Sequence, residues 1–255
     1  VDGDLAEVVW ALGLGDRVVA TDLSATFPAE ADTSPKIGYQ RALSPEPILE
    51  FEPTIVLATD IAGPAETLDQ LERLGVPVVF VPTPPTADGP GTKIRAVAAA
   101  LGVPDRGEEL AADVERQIAA ASAEVETGVD PVRIAPLYLR GESVQLLFGR
   151  ESGIGWIIDA VGGVNVADEL GVADAEPITA EGILQAAPEV LLVTTSGLES
   201  VGGVDGLLEI GGLGETPAGQ QRRGPAYDDQ FLLGNGPRSG ELLAQMIADL
   251  QGGTQ

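Results

Sequence analysis

The 255-residue chain contains no cysteine and no histidine. The first absence excludes disulfides, thiol catalysis and Cys-ligated zinc. The second excludes more: the Ser-His triad, His-based zinc sites and the usual proton carrier near neutral pH. Lysine occurs only at Lys36 and Lys93; with 14 Lys+Arg against 40 Asp+Glu the formal net charge is −26. Such a surface cannot neutralise a row of phosphates or settle on anionic lipid, so neither nucleic acid nor a membrane surface is an expected partner. No apolar run reaches the ~18 to 20 residues of a membrane span, and no charged and apolar leader pattern precedes Val1. Composition alone leaves two locations open, the cytosol or an exported chain whose targeting segment has been removed. Also missing are a P-loop, a Gly-x-Ser-x-Gly elbow and an acid pair. Gly13-Leu14-Gly15 follows a helical pattern and lacks the third glycine of a dinucleotide fingerprint. An enzyme is not expected.

What the chain does contain is an internal repeat. Leu43 to Thr59 matches Ile178 to Thr194 position by position. In each copy a hydroxyl residue (Ser44, Thr179) stands where it can cap a helix. A carboxylate (Glu46, Glu181) follows in the first turn, and a proline (Pro53, Pro188) stops the helix before a β-rich run. A second echo relates Glu7 to Gly13 with Trp156 to Gly162. Between the halves, residues 107–127 read as one long helix, with Leu110, Val114, Ile118, Ala121 and Val125 on a single face. Its length, roughly 30 Å, exceeds what an ordinary crossover needs. The fold class expected is α/β: two Rossmann-like lobes with mainly parallel sheets joined by one long helix, with a lobe over 1–106, the spine over 107–127 and a second lobe over 128–255. A ligand is expected between the lobes at the strand ends.

Within the first lobe the pattern predicts a helix over 2–14, strands over 17–20, 54–59 and 76–81, the last of them buried, and an extended piece over 37–41. Val1 reads as the end of a strand, so the mature chain is expected to begin earlier. In the second lobe strands are predicted over 133–139, 143–148 and 190–195, a loop over 168–177, and helices over 154–161, 199–209 and 238–250.

Two of the three tyrosines stand two positions before an arginine: Tyr39-Gln40-Arg41 and Tyr138-Leu139-Arg140. In extended backbone, residues i and i+2 share a face, so each guanidinium can lie beside its phenol. A cation there favours phenolate by charge and hydrogen bonding. Phenolate is a hard oxygen ligand that suits ferric iron, and tyrosine is one of the axial ligands of haem. The same pattern also describes two half-buried strand tyrosines with ordinary arginine neighbours, and the residues alone leave both readings open.

Four strings, Gly3 to Gly13, Gly38-Tyr39-Gln40-Arg41-Ala42-Leu43-Ser44, Ala160 to Asn165 and Leu232 to Arg238, resemble the haem-binding proteins of bacterial ABC haem importers. These belong to the helix-spined substrate-binding class that also holds the cobalamin and siderophore receptors. The resemblance implies an extracytoplasmic protein, periplasmic or a cell-surface lipoprotein, that acts as a monomer and delivers haem to an ABC permease. It matches Tyr39 to the family's first axial ligand, Tyr138 to a second axial tyrosine of some members, and Arg140 to the arginine that hydrogen-bonds it. The chain departs from the His/Tyr version of the site because it has no histidine; the resemblance then implies ligation by both Tyr39 and Tyr138, or by one tyrosine with the other idle, with Tyr39 the favoured ligand. Arg41, Arg150 and Arg238 are the candidate partners for haem propionates, and Leu137, Phe148 and Trp156 are the candidates to meet the porphyrin faces. Tyr227, which lacks an arginine two positions on, is expected to be structural. The resemblance places Glu66 and Glu199 where this class docks one acidic residue from each lobe on the permease. The alternative within the class is a siderophore or cobalamin receptor.

Overall fold

The computed structural model describes residues 2–252; the strand end expected at Val1 lies outside them. The chain divides into two compact units. The first comprises residues up to Pro84, then Asp88–Arg116 and Gly234–Ser239; the second comprises Pro85–Ala87, Gln117–Leu233 and the chain from Gly240 onward. No helix among the described residues is long and apolar enough to cross a membrane.

The first unit runs α1 (Gly3–Ala11), α2 (Ala29–Asp32), α3 (Pro45–Leu49), β1 (Val56–Ala58), α4 (Ala65–Arg73), β2 (Val78–Phe80) and α5 (Gly89–Ala100). β1 and β2 pair in parallel, Val56 opposite Val78. Ile37, Leu43, Ile48, Val56, Leu68 and Leu71 form a core cluster here. The strand expected over 17–20 is not laddered. Arg17 closes a 3₁₀ turn, and the extended residues after it make one parallel bridge, Thr21 to Lys36. Glycine-rich backbone before Arg17 coils instead of extending, which delays the strand-like geometry. Nor is the 76–81 strand buried: β2 is short and half-exposed, and Phe80 is 56% exposed at its end.

The spine helix, α6, spans Pro104–Ser122 and contributes to both units, so it starts earlier and stops sooner than 107–127. Proline fits the first turn, where its missing N–H costs nothing. Beyond Ser122 the acidic Glu124 and Glu126 and the β-branched Val125 and Thr127 oppose the negative helix terminus and weaken the last turn. Gly107 lets α6 approach α5: a Cβ there would lie 2.3 Å from that of Ala98.

The second unit continues with β3 (Arg133–Arg140), β4 (Val144–Phe148), α7 (Gly155–Ala160), β5 (Val164–Asn165), α8 (Val166–Glu169), β6 (Ala175–Pro177), α9 (Ala180–Ala186), β7 (Val190–Thr194), α10 (Thr195–Ser200), α11 (Gly203–Glu209), α12 (Pro217–Gln220), β8 (Ala226–Tyr227), α13 (Asp229–Leu233) and α14 (Ser239–Gly252). Its sheet has the order β6-β4-β3-β7-β8, with β5 also on β3. The β3–β5, β3–β7 and β7–β8 pairings are parallel; β4 and β6 extend the sheet antiparallel. Every residue of β7 is buried, as a central parallel strand covered on both faces requires. The loop expected over 168–177 contains the end of α8 and the edge strand β6, and the helix expected over 199–209 breaks in two where Gly202 and Gly203 adopt φ of 89° and 79°.

The repeat is structural. Each copy forms a short helix, then a non-glycine residue in left-handed conformation, then proline and a strand: Glu52 has φ 46° and Ala187 φ 42°. Thr179 caps its helix by accepting from Gly182 N at 3.2 Å, whereas the Ser44 side chain makes no such bond.

Candidate functional site

In the first unit the site is built around the turn that begins at Tyr39. Gly38, at φ 103°, turns the chain after the Thr21–Lys36 bridge in a conformation an L side chain would resist. Leu23 N donates to Gly38 O at 2.9 Å and Ala42 N to Tyr39 O at 2.8 Å. Gly63 N donates to Gln40 O and Leu43 N to Gly63 O, both at 2.8 Å, so the turn is laced to the loop that follows β1. Gln40 points inward and is buried, while Tyr39 is 43% exposed and Arg41 is exposed. Tyr39 and Arg41 therefore sit on a turn, not on the extended segment the sequence predicts. Leu23, Phe27, Ile61 and Phe80 are exposed large apolar residues of the same unit. The loop bonded to the turn leaves the C-terminal end of β1, the edge where open α/β sheets take ligands.

In the second unit Tyr138 lies on β3 opposite Leu146 of β4. Side chains alternate along the strand: Leu137 and Leu139 enter the core, whereas Tyr138 and Arg140 share the other face and are part-exposed. The Tyr138 ring stacks on Phe148 at 5.2 Å between centroids, with 20° between planes. The Arg140 guanidinium carbon lies 4.4 Å from the Tyr138 ring centroid. Arg140 Nη1 donates to Leu139 O at 2.7 Å and Nη2 to Asp229 Oδ1 at 2.7 Å. Asp229 in turn accepts from Ser196 Oγ at 2.7 Å and from Ser196 N at 3.2 Å. Asp229 was not among the residues singled out in the sequence. It is 89 positions from Arg140, and nothing in the string Tyr227-Asp228-Asp229 marks it.

The other candidates are placed as follows. Arg150 opens the 3₁₀ turn after β4 and grips Asp168 with two bonds, 2.6 and 3.2 Å. Arg238 is 20% exposed; it holds both oxygens of the buried Glu7, at 2.9 and 2.8 Å, and lies 3.7 Å above the Phe27 ring. Leu137 and Trp156 are buried, so of the three residues expected to meet a porphyrin only Phe148 is accessible. Tyr227 is buried and donates to Asp249 Oδ2 at 2.6 Å. Burial first, and the Asp249 carboxylate second, push its phenol far above the ordinary range. Glu66 is exposed in the first turn of α4, and Glu199 is exposed on α10, the helix that follows β7.

Comparison with solved structures finds the periplasmic heme-binding protein RhuT from Roseiflexus sp. RS-1 in apo form. It is 48% identical with a TM-score of 0.96, covering 100% of this chain and 97% of that one. The heme-binding protein HmuT is 34% identical, with a TM-score of 0.88, covering 98% of this chain and 82% of that one. HmuT has also been solved with a histidine, a tyrosine 99 positions later and an arginine two positions after that, each replaced by alanine. Among curated proteins, the vitamin B12-binding protein of Vibrio campbellii is 24% identical over 196 residues, 77% of this chain and 70% of that one. A family model for the periplasmic binding protein matches residues 1–230. With that span covered, and with a repeated strand-and-helix unit in each half, the chain belongs to the periplasmic binding protein family.

Proposed function

We propose that this protein captures ferric haem outside the cytoplasm and delivers it to an ABC importer, with Tyr39 as the first oxygen ligand of the iron and Tyr138 as the second phenol available to it. The observation that carries this reading is a spacing. Tyr39, Tyr138 and Arg140 are separated by the same intervals, 99 and two, as the histidine, tyrosine and arginine replaced in HmuT. On that spacing Tyr39 falls at the place of the HmuT histidine, and this chain has no histidine of its own. The physical setting is suitable: Tyr39 is exposed and Tyr138 half-buried, and exposed apolar side chains of the first unit and Phe148 of the second offer surfaces for a porphyrin. Haem is the cargo here, and the protein supplies ligand oxygens, apolar surface and cations.

Of the candidate propionate partners, Arg41 is the one whose fork pairs with no carboxylate among the described residues; Arg150 and Arg238 would have to exchange Asp168 or Glu7 for a propionate. Glu66 and Glu199 are the proposed permease contacts. A location in the periplasm or at the cell surface, as a lipoprotein, and a monomeric state complete the proposal.

The vitamin B12-binding relatives support a second reading, a corrinoid receptor with the same fold. Titration of ferric haem into the wild type, Tyr39→Ala and Tyr138→Ala, followed in the visible spectrum, separates them. The wild type should give a shifted Soret band and a phenolate charge-transfer band. Tyr39→Ala should weaken binding by at least tenfold, about 1.4 kcal/mol. A wild type that leaves the haem spectrum unchanged, or binds cobalamin in preference, sinks the proposal.

A further inference from the structure

We infer that the first unit holds a hard cation, calcium in type, at the head of β1, with Asp2 Oδ1, Asp22 Oδ2 and Gln40 Oε1 as its side-chain ligands. The inference goes beyond haem capture and does not depend on it. Asp2 is 3% exposed, Asp22 0% and Gln40 8%, and each of these three oxygens is buried without a hydrogen-bond partner. A carboxylate oxygen or amide carbonyl left that way is costly, and native structures rarely tolerate it. Three in one neighbourhood call for a shared partner. Backbone from separate stretches draws them together. Gly3 N donates to Ser24 Oγ and Ser24 Oγ to Asp22 Oδ1, both at 2.9 Å. A Cβ on Gly3 would lie 2.3 Å from Ser24 O, so residues 2–3 press against 22–24. On its other side Asp2 Oδ2 accepts from Thr59 N at 3.1 Å and from Thr59 Oγ1. Thr59 O accepts from Ala62 N at 3.1 Å, and Gly63 N donates to Gln40 O at 2.8 Å, which closes the ring onto the inward-pointing Gln40. The bond from Leu23 N to Gly38 O closes it from the Asp22 side.

The nearby cations of the chain are committed elsewhere. Lys93 is taken by Asp4 and Gly234 O, Lys36 by Thr21 Oγ1, Ala25 O and Ala31 O, and Arg238 by Glu7. Burial, ahead of every other cause, pushes the carboxyls of Asp2 and Asp22 above the usual carboxylate range. Asp4 adds to the effect at Asp2 and Asp2 to that at Asp22, so the carboxylates feel one another. One divalent ion balances both. The donors are oxygen only, two carboxylates and a neutral amide, and no group of three or more His, Cys, Asp or Glu gathers around a metal position among the described residues. Such a set suits calcium, which takes about six to eight oxygens and accepts water among them, better than a transition metal. Magnesium, smaller and reluctant to shed its water, fits a deep site less well. Asp2 and Thr21 also line a cavity of about 650 Å³ in this unit, which gives an ion and its water a way in. Gln40 is the inward member of the turn that carries Tyr39 and Arg41, so the ion ties that turn to the start of α1.

The test is thermal unfolding of the haem-free chain, stripped with a chelator and then returned to calcium chloride, with a calorimetric titration for stoichiometry. One calcium per chain should bind with a Kd on the order of 10⁻⁴–10⁻³ M, the range of extracellular calcium modules. At about 100 times Kd the Tm should rise by roughly 5–10 °C. Sodium chloride at equal ionic strength, which controls for screening of the acidic surface, and magnesium chloride should each give a smaller rise. Asp22→Asn and Gln40→Leu keep side-chain volume and remove a charge or an acceptor. Each should weaken calcium binding by at least about tenfold, as loss of even an outer-shell partner of a metal does. With chelator present Asp22→Asn should be more stable than the wild type at neutral pH, and calcium should shrink or reverse that advantage. A wild-type rise that sodium chloride matches, or a calcium gain that either variant retains in full, overturns the inference. So does a chain whose stability responds to pH but not to calcium, because a proton shared by Asp2 and Asp22 then stands in place of the ion. No haem is present in any of these measurements, so failure of the haem-capture reading leaves their outcome unchanged.

Discussion

Arg238 distinguishes a residue that holds the fold from one that holds a ligand, and Arg238→Ala is the perturbation that decides. Its guanidinium makes two bonds to Glu7, whose side chain is 6% exposed, and covers the Phe27 ring. Removing the arginine takes two hydrogen bonds and a paired charge from a carboxylate that little water reaches. Breaking a buried pair this way costs about 3–5 kcal/mol. Because 20% of the Arg238 side chain is exposed, the lower end applies, with the lost cation–π contact adding about 0.5–1 kcal/mol. A loss of about 3–4 kcal/mol is a large share of a typical stability of roughly 5–15 kcal/mol. At about 2–4 °C per kcal/mol for a chain of this size, it should lower Tm by roughly 10 °C. Glu7→Gln should cost less, since it leaves a partly hydrated cation instead of a buried anion. In the double variant Glu7→Gln/Arg238→Ala the losses should be less than additive by about 1.5–3 kcal/mol. The assay is urea unfolding of the haem-free protein by circular dichroism, with a haem titration on each variant. A loss below about 1 kcal/mol, together with a tenfold or greater fall in haem affinity, would refute the argument and make Arg238 a propionate clamp.

Three further outcomes follow from the structure. Burial raises the carboxyl of Asp22 to about 6 from the ordinary 3.8, so the folded state binds a proton more readily than the unfolded chain. Stability should therefore fall as pH rises from about 4 to about 6, and Asp22→Asn should stabilise the protein by up to about 3 kcal/mol at pH 7.5 but little at pH 4; an equal gain at both pH values counts against this. Ala187→Gly, at φ 42°, should stabilise by up to about 1 kcal/mol in urea because glycine adopts the left-handed conformation without strain, and a net loss would show that the residue is not strained. Glu66→Ala/Glu199→Ala should abolish haem uptake through the importer while leaving the visible titration of the purified protein unchanged; undiminished uptake would remove both residues from the permease contact.

The repeat was legible in the sequence down to individual positions. Thr179 caps its helix, Ser44 holds the matching position without the side-chain bond, and Pro53, Pro188 and the strands β1 and β7 stand where the matched strings place them, because capping, proline stops and β-branched runs act through neighbours along the chain. The absence of histidine and cysteine likewise excluded imidazole and thiolate ligands from composition alone. Local signals misled where a single ladder bond mattered: residues 17–20 have strand-like side chains but lack a partner in the described sheet, and the 199–209 segment has helical spacing but two glycines that break it. Tyr39-x-Arg41 and Tyr138-x-Arg140 look alike as strings, yet one forms a turn and the other a strand. Tertiary structure alone decided which arginines are already spent, because Glu7, Asp168 and Asp229 reach Arg238, Arg150 and Arg140 across 231, 18 and 89 positions. Spacing along a chain sets which face a residue takes within its own element; register between strands and the placement of helices set what it meets there.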